Sequence, residues 1–136
     1  MAKIVIPKFD FSDIDTSWKD VEGDGSLYRF TADTSTFDTL SFQLEPSSLN
    51  AAVTVDFKQS NINDAVTEAD RNTFPMTGDV YTTTTKVVDS DVLNQSINTG
   101  ALFFESRDVT RGDKFHVELT VNTATTGSIT FYDRLR

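Results

Sequence analysis

The chain has 136 residues, of which 38% are hydrophobic, and a formal net charge of −9. This length suits one domain that buries roughly two-thirds of the surface exposed by its unfolded chain. The negative charge disfavours nucleic acid as a partner, because phosphate groups would be repelled and the sequence contains no basic patch. Since the chain has no cysteine, its stability must come from packing, metal or subunit contacts.

Targeting segments are not predicted. The N-terminal region contains only a three-residue apolar run, and no stretch reaches membrane-spanning length. We therefore expect no signal peptide and no membrane partner, and we expect synthesis in a cytoplasm.

Residues 1–26 are predicted to form an extended N-terminal arm. The first apolar residues can add one short strand, which Pro7 ends or confines to a sheet edge. Beyond Pro7, apolar side chains alternate with Asp and Ser, a composition typical of a loosely held segment. These side chains need a surface, which a neighbouring subunit or another protein would supply. The predicted partner-binding residues are Ile4, Val5, Ile6, Phe9, Phe11 and Ile14.

Residues 27–136 are predicted to form a β-sandwich domain. Apolar residues recur at every second position in residues 40–45, 53–58, 115–121 and 129–132, so each segment has one apolar face. We expect 40–45 to form a hairpin with 53–58, and 115–121 with 129–132. The predicted core consists of Phe42, Leu44, Val53, Val55, Phe57, Phe104, Phe115, Val117, Leu119, Ile129 and Phe131.

The middle of the chain is less regular. Residues 61–78 have apolar residues at helical spacing, and both a short helix and a loop remain open. Residues 80–88 are predicted to be one strand, 89–100 a polar loop and 101–109 another strand. In the last of these, Leu102 and Phe104 share one face and Phe103 lies on the other. Because apolar sheet faces need a second layer, the prediction is an all-β, two-layer antiparallel sandwich, jelly-roll-like, with seven or eight strands.

Carboxylates in two places could bind calcium. Asp20, Glu22 and Asp24 resemble the start of a calcium-binding loop, but its twelfth position is Thr31, where a carboxylate is required. An acidic surface turn is the preferred interpretation. Asp89 and Asp91 are a second, weaker candidate pair. We predict no metal or other cofactor.

Catalytic motifs are not found either. His116 is the single histidine, it falls on the polar face of a strand, and no nucleophile-elbow motif is present. We interpret His116 as exposed or at an interface and expect no enzymatic activity. The aromatic residues Trp18, Tyr28, Tyr81 and Tyr132 either form a sugar-stacking platform or pack in the core and at its rim.

The order of features from residue 37 to the end suggests a family. The strand at 40–45 leads into Ala51-Ala52-Val53-Thr54-Val55, and a long polar excursion follows. Then come Gly100-Ala101-Leu102-Phe103-Phe104 and the Thr-rich end at Gly127-Ser128-Ile129-Thr130-Phe131. In this order the chain resembles accessory virion proteins of tailed bacteriophages, which are small β-sandwich or jelly-roll domains that decorate capsids or belong to tails and fibres.

The resemblance implies a non-enzymatic virion structural protein made in a bacterial host. Such a protein would be homo-oligomeric and would bind the major capsid protein or other virion proteins. The alternative is a carbohydrate-binding β-sandwich module, with or without calcium. A small hydrolase is a third hypothesis, which the motifs do not favour.

Overall fold

The computed structural model describes residues 2–5, 9–10, 18–33, 38–61, 72–91, 95–106, 113–122 and 124–135. Within these ranges the chain forms strands and no helix. The strands are β1 (Ala2–Val5), β2 (Phe9–Asp10), β3 (Trp18–Asp20), β4 (Leu27–Asp33), β5 (Leu40–Ser47), β6 (Val53–Ser60), β7 (Phe74–Pro75), β8 (Thr77–Tyr81), β9 (Lys86–Asp91), β10 (Gln95–Ile97), β11 (Leu102–Ser106), β12 (Lys114–Thr120) and β13 (Ser128–Leu135).

The strands form two antiparallel sheets that pack face to face. Sheet A has the order β1-β13-β5-β11-β8-β9, and β2 also pairs with β13. Sheet B has the order β10-β6-β12-β4-β3, and β7 also pairs with β6. The predicted all-β sandwich is therefore confirmed. No helix in the described part of the chain is long and apolar enough to cross a membrane.

Eight strands follow the jelly-roll order. Strands β1, β13, β5 and β11 lie side by side in sheet A, and β4, β12, β6 and β10 lie side by side in sheet B. Along the chain, β4, β5 and β6 alternate between the sheets, and so do β10, β11, β12 and β13. The hairpin of β8 and β9 widens sheet A, while β3 widens sheet B. These additions raise the number of strands above the seven or eight predicted.

Both predicted hairpins are wrong. Strands β5 and β6 belong to different sheets, as do β12 and β13, so each connection crosses the sandwich instead of turning back in one sheet. The two crossing connections bind each other through Asn50. Its Oδ1 accepts the Thr126 N–H at 2.9 Å, and its Nδ2 donates to the Ala124 carbonyl at 3.2 Å.

Gly127 allows this close approach of the two connections. Its φ is +111°, and a Cβ at this position would lie 2.5 Å from the Ser48 carbonyl oxygen. Any other residue would strain the backbone and collide with the neighbouring connection. Both connections therefore depend on this glycine.

The core consists of the inward faces of both sheets. All eleven residues predicted for the core are at most 1% exposed. A continuous series of rings, Phe57–Phe104–Phe115–Phe42–Phe131, runs through it with neighbouring centroids 4.4–5.7 Å apart. Phe30 and Trp18 extend this series at spacings of 5.0 and 5.6 Å.

The arm boundary predicted at residue 26 is wrong. Trp18 is 4% exposed and belongs to β3, which pairs with β4, and Val21 is also buried. Residues 18–26 therefore belong to the sandwich, because the indole completes the series of core rings. Residues Ala2–Val5 and Phe9–Asp10 pair with β13, which places Ile4, Val5 and Phe9 in edge strands. Ile6, Phe11 and Ile14 lie outside the described residues.

The segment predicted as one strand at 80–88 is a hairpin of β8 and β9. Its turn forms because the Thr82 hydroxyl accepts the backbone N–H groups of Thr84 and Thr85, at 3.3 and 3.0 Å. Such local side-chain bonds favour turns over extended backbone. The predicted polar loop at 89–100 contains β10, in which Ile97 is buried. Most of the segment left open as helix or loop, residues 62–71, lies outside the described residues.

Substitution of Phe115 tests the ring series. Phe115 is fully buried and stacks on Phe42 at a centroid distance of 4.4 Å, so we expect Phe115→Ala to lower the free energy of unfolding by about 3–5 kcal/mol. Urea unfolding followed by circular dichroism measures the loss. Phe74→Ala is the control, because that ring is 58% exposed and its removal should change stability by less than about 0.5 kcal/mol. Equal losses in both variants would contradict the core assignment.

Candidate functional site

A line of partly exposed side chains crosses the outer face of sheet A. The strand register places Tyr132 opposite Gln43, Gln43 opposite Phe103, Phe103 opposite Tyr81 and Tyr81 opposite Lys86. We call these five residues the ring row. Gln43 and Phe103 point outward, since the residues on either side of each in the chain are buried in the core. The other three share this face, because residues directly opposite each other in neighbouring strands lie on the same side of a sheet. The row therefore contains three rings, one amide and one amine in a single line.

Contacts within the ring row hold its side chains in place. The rings of Tyr81 and Phe103 meet edge to face, with centroids 5.4 Å apart and an interplanar angle of 75°. The Lys86 Nζ lies 5.1 Å from the Tyr81 ring centroid, and the contact with Tyr81 raises the pKa of Lys86. Beside the row, Gln43 Nε2 donates to Glu45 Oε1 at 2.7 Å. The row is thus a set of ordered groups.

Two shallow hollows flank Phe103. One has a volume of about 220 Å³ and is lined by Ser41, Gln43, Phe103, Tyr132, Asp133 and Arg134. The other has about 190 Å³ and is lined by Gln43, Glu45, Tyr81, Thr82, Thr83, Ala101, Leu102 and Phe103. Phe103 and Gln43 line both, so the two hollows are neighbours separated by this pair.

The four aromatic residues considered for a sugar-stacking platform divide into two groups. Tyr81 and Tyr132 belong to the ring row, whereas Trp18 and Tyr28 are buried in the core. Phe103 and Gln43 were not among the site residues predicted from the sequence. The outward orientation of Phe103 was a signal, because an apolar side chain on a polar face needs a reason.

The carboxylates of the first calcium candidate shape a turn. Asp20 accepts the N–H groups of Gly23 and Gly25, both at 3.0 Å, and Asp24 accepts the N–H of Ser26. Hydrogen bonds from Ser26 hold the pKa of Asp24 below its usual value. Glu22 is exposed. The three residues thus form an acidic surface turn whose oxygens bind its own backbone.

The second calcium candidate lies on β9. Asp89 and Asp91 are placed in this strand by their backbone, and their side chains lie outside the described residues. In the part of the chain that the structure describes, no group of three or more acidic, His or Cys side chains is placed to hold a metal ion.

The side chain of His116 is fully buried, so the prediction that it is exposed is wrong. Its Nδ1 lies 2.9 Å from the Thr31 hydroxyl and its Nε2 lies 2.7 Å from the Ser60 hydroxyl. A neutral imidazole offers one donor and one acceptor, so both nitrogens are satisfied by these hydroxyls. This pairing makes His116 a structural residue of sheet B, and its loss would reduce stability.

A buried ion cluster lies beside His116 on the outer face of sheet B. Glu118 is 3% exposed, and its carboxylate contacts Arg29 Nη2 at 2.6 Å and Lys58 Nζ at 2.9 Å. The Thr73 hydroxyl donates to Glu118 at 3.5 Å, so the segment before β7 crosses this face. Burial raises the pKa of Glu118, but the hydrogen bonds from Lys58 and the charge of Arg29 outweigh it and keep the pKa below its usual value.

The pKa of a second buried carboxyl, that of Asp133, is governed by burial and not by a neighbouring charge. Asp133 is 3% exposed, and its Oδ1 has no hydrogen-bond partner within the described part of the chain. Burial raises the pKa of Asp133 to about 6, and a bond from its own backbone offsets only part of this. The two carboxyls therefore respond to pH in opposite ways.

Glu118→Gln should destabilise the protein by about 3–5 kcal/mol, because it leaves two cations without their buried partner. Since the folded pKa of Glu118 is lowered, its stabilising effect is present at neutral pH and is lost as pH falls below about 4.5. Urea unfolding at pH 7 and pH 3 measures both effects. Glu22→Gln is the control, because the same change at an exposed site should have little effect at either pH. A neutral result at pH 7 for Glu118→Gln would contradict the cluster's role.

Asp133→Asn should have the opposite effect. A raised folded pKa means that the unfolded state binds fewer protons, so the native aspartate destabilises the fold progressively as pH rises from about 4 to 7. The shift corresponds to roughly 3 kcal/mol at pH 8. Chemical unfolding should therefore show Asp133→Asn as more stable than the native chain at pH 8 and nearly equal at pH 4. A variant that is less stable at pH 8 would show that the carboxylate is stabilised in the fold.

Comparison with known proteins does not assign the chain to a family. No protein-family model matches the chain, and neither the curated proteins nor the solved structures give a match. Functional inference therefore depends on the strand order and on the geometry of the ring row.

Proposed function

We propose that this chain is a non-enzymatic virion structural protein that decorates or stabilises a phage capsid, or forms part of a head-fibre or tail assembly. The observation that carries the proposal is the jelly-roll order of eight strands. Jelly rolls are the architecture of viral capsid and lectin domains. The strand order supports a structural role at the level of the fold, and the surfaces of the molecule add to it.

The sheet edges support assembly with other subunits. Strand β9 ends sheet A, and β10 and β3 end sheet B. An edge strand carries a row of N–H and C=O groups that can pair with another chain. On β9, Val87 is 53% exposed, which adds an apolar side chain to this edge. Neighbouring copies or other virion proteins would bind along these edges, which fits the proposed homo-oligomer.

The pairing of the N-terminal strands supports a role for this segment as a latch, by which we mean a segment that holds the chain on a neighbouring protein. Strands β1 and β2 pair with β13 over four and two residue pairs. Pairing of this type uses main-chain groups, so the same segment can add to the sheet of a neighbouring subunit. We propose that the segment containing Ile4, Val5, Ile6, Phe9, Phe11 and Ile14 binds a virion partner.

We also propose that the chain has no enzymatic activity. The single histidine of the chain, His116, is fully buried and is hydrogen-bonded at both ring nitrogens. A base in this state has no free nitrogen facing a substrate. This geometry supports a structural role for His116, which is the histidine that a Ser-His-Asp mechanism would require.

Particle composition tests the proposal directly. Phage particles are purified by density gradient from a host in which this chain is expressed with its phage, and the chain is quantified by mass spectrometry against the major capsid protein. We expect a fixed stoichiometry between preparations. If the chain is lost during purification or its ratio varies between preparations, the virion role is wrong.

Deletion of residues 2–16 tests the latch separately, because it removes β1 and β2 but retains β3. We expect the shortened chain to keep its β-type circular dichroism spectrum and to bind particles lacking the chain at least ten-fold more weakly. Wild-type chain is the positive control. Undiminished binding would show that other surfaces hold the protein on the particle.

A further inference from the structure

We propose that the ring row is a binding site for a neutral oligosaccharide, with Phe103 as the ridge between two sugar subsites. The inference goes beyond the proposed virion role and does not depend on it. It assigns a ligand class to a surface made by five strands of sheet A.

The spacing of the rings suits a chain of linked sugar rings. Neighbouring strands lie about 4.8 Å apart, so Tyr132 and Phe103, with Gln43 between them, are separated by about 10 Å along the row. Phe103 and Tyr81 are on adjacent strands and meet edge to face. The row thus offers ring surfaces repeatedly along one direction, as an extended ligand requires.

Each of the two hollows has a volume suited to a single sugar ring. Their volumes of about 220 and 190 Å³ are below the roughly 300–1,000 Å³ of pockets that hold drug-sized ligands. Each therefore suits one compact ring instead of a large cofactor. Because both share Phe103 and Gln43 as a wall, two linked units can occupy them together.

The lining groups match the chemistry of a sugar. A pyranose has apolar C–H patches on its faces and hydroxyl groups around its edge. Phe103, Tyr81 and Tyr132 supply aromatic surface, while the Gln43 amide and Glu45 carboxylate supply hydrogen-bonding groups beside them. The 2.7 Å bond between Gln43 and Glu45 holds these two groups in position before any ligand arrives. Preorganised polar groups next to apolar surface provide orientation as well as affinity.

Charge favours a neutral ligand over an anionic one. Glu45 and Glu105 lie on this face next to the rings, and the Tyr81 hydroxyl donates to Glu105 at 3.4 Å. The cations on this face are each next to a carboxylate residue: Lys86 lies 3.9 Å from Asp79, and Arg134 lines one hollow together with Asp133. The carboxylates would repel sulfated, phosphorylated or sialylated sugars, whereas they can accept hydrogen bonds from neutral hydroxyl groups.

The test uses an array of immobilised oligosaccharides of two to four units, neutral and acidic, in buffer containing EDTA. The neutral trisaccharide with the strongest signal is then titrated in solution by calorimetry. We expect Phe103→Ala and Gln43→Ala each to weaken binding at least ten-fold. Phe74→Ala is the matched control, because it removes an exposed ring from β7, outside sheet A, and should leave the affinity unchanged.

Two further measurements separate a lost site from a lost fold. Phe103→Leu keeps an apolar side chain but removes the aromatic face, so it should also weaken binding while its melting curve stays close to the native one. In the native chain, amide NMR shifts should change on addition of the trisaccharide mainly at residues 43, 81, 103 and 132. The absence of any neutral ligand, a preference for acidic sugars, or affinity retained by both Phe103 variants would overturn the proposal. Loss of self-association in Phe103→Ala without sugar binding would assign the row to a subunit contact instead.

Discussion

The stacked rings between the two sheets are the contact on which the rest of the structure depends. Phe57 and Phe115 come from sheet B, and Phe104, Phe42 and Phe131 come from sheet A. The series crosses the interface three times between Phe57 and Phe42, and Phe131, Phe30 and Trp18 then extend it. A domain without disulfides must gain its stability from packing of this kind. Because the connections cross the sandwich, β5 and β13 bring rings to sheet A and β6 and β12 bring rings to sheet B. Pairing of β3 with β4 adds Trp18 to the same core.

The outer faces of the two sheets have different roles. On sheet B, buried polar groups pair with one another, as His116 does with two hydroxyls and Glu118 with two cations. Such groups are costly to bury unless each finds a partner, so this face is a structural one. On sheet A, the ring row is partly exposed and combines aromatic surface with hydrogen-bonding groups. This difference is why a ligand is assigned to sheet A and not to the buried histidine.

The proposed structural role in a virion and the proposed sugar-binding face are compatible in one domain. The edges and the N-terminal strands offer main-chain groups for assembly, while the ring row consists of side chains on the outer face between them, with Tyr132 opposite Val5 of β1 and Lys86 on β9. Jelly rolls are used both in capsids and in lectins, and the architecture allows contacts at the edges and at a face simultaneously. The two proposed roles therefore use different groups, main-chain groups at the sheet edges and side chains on the outer face, and both ends of the ring row lie next to those edges.

The alternation of apolar residues in the sequence was sufficient to identify the inward face of the strands. Period-two alternation identified all eleven predicted core residues, because the side-chain period of a strand is a local property of the backbone. It also placed Phe103 outward from Leu102 and Phe104. Strand partners were decided only by the tertiary structure. Strands 40–45 and 53–58 look like a hairpin locally, yet they join different sheets, since alternation does not specify which strand lies alongside.

The same limit applies to the site and to the buried polar groups. Tyr132, Gln43, Phe103 and Tyr81 are far apart in the chain, and only the registers of four neighbouring strands bring them into a row. His116 and Glu118 occupy positions that alternation assigns to a solvent-facing side. They are buried because other parts of the fold cover that side and because Thr31, Ser60, Arg29 and Lys58 arrive there from β4 and β6. Burial of a polar face is a long-range property, and hydrophobic periodicity within a single strand contains no information about it.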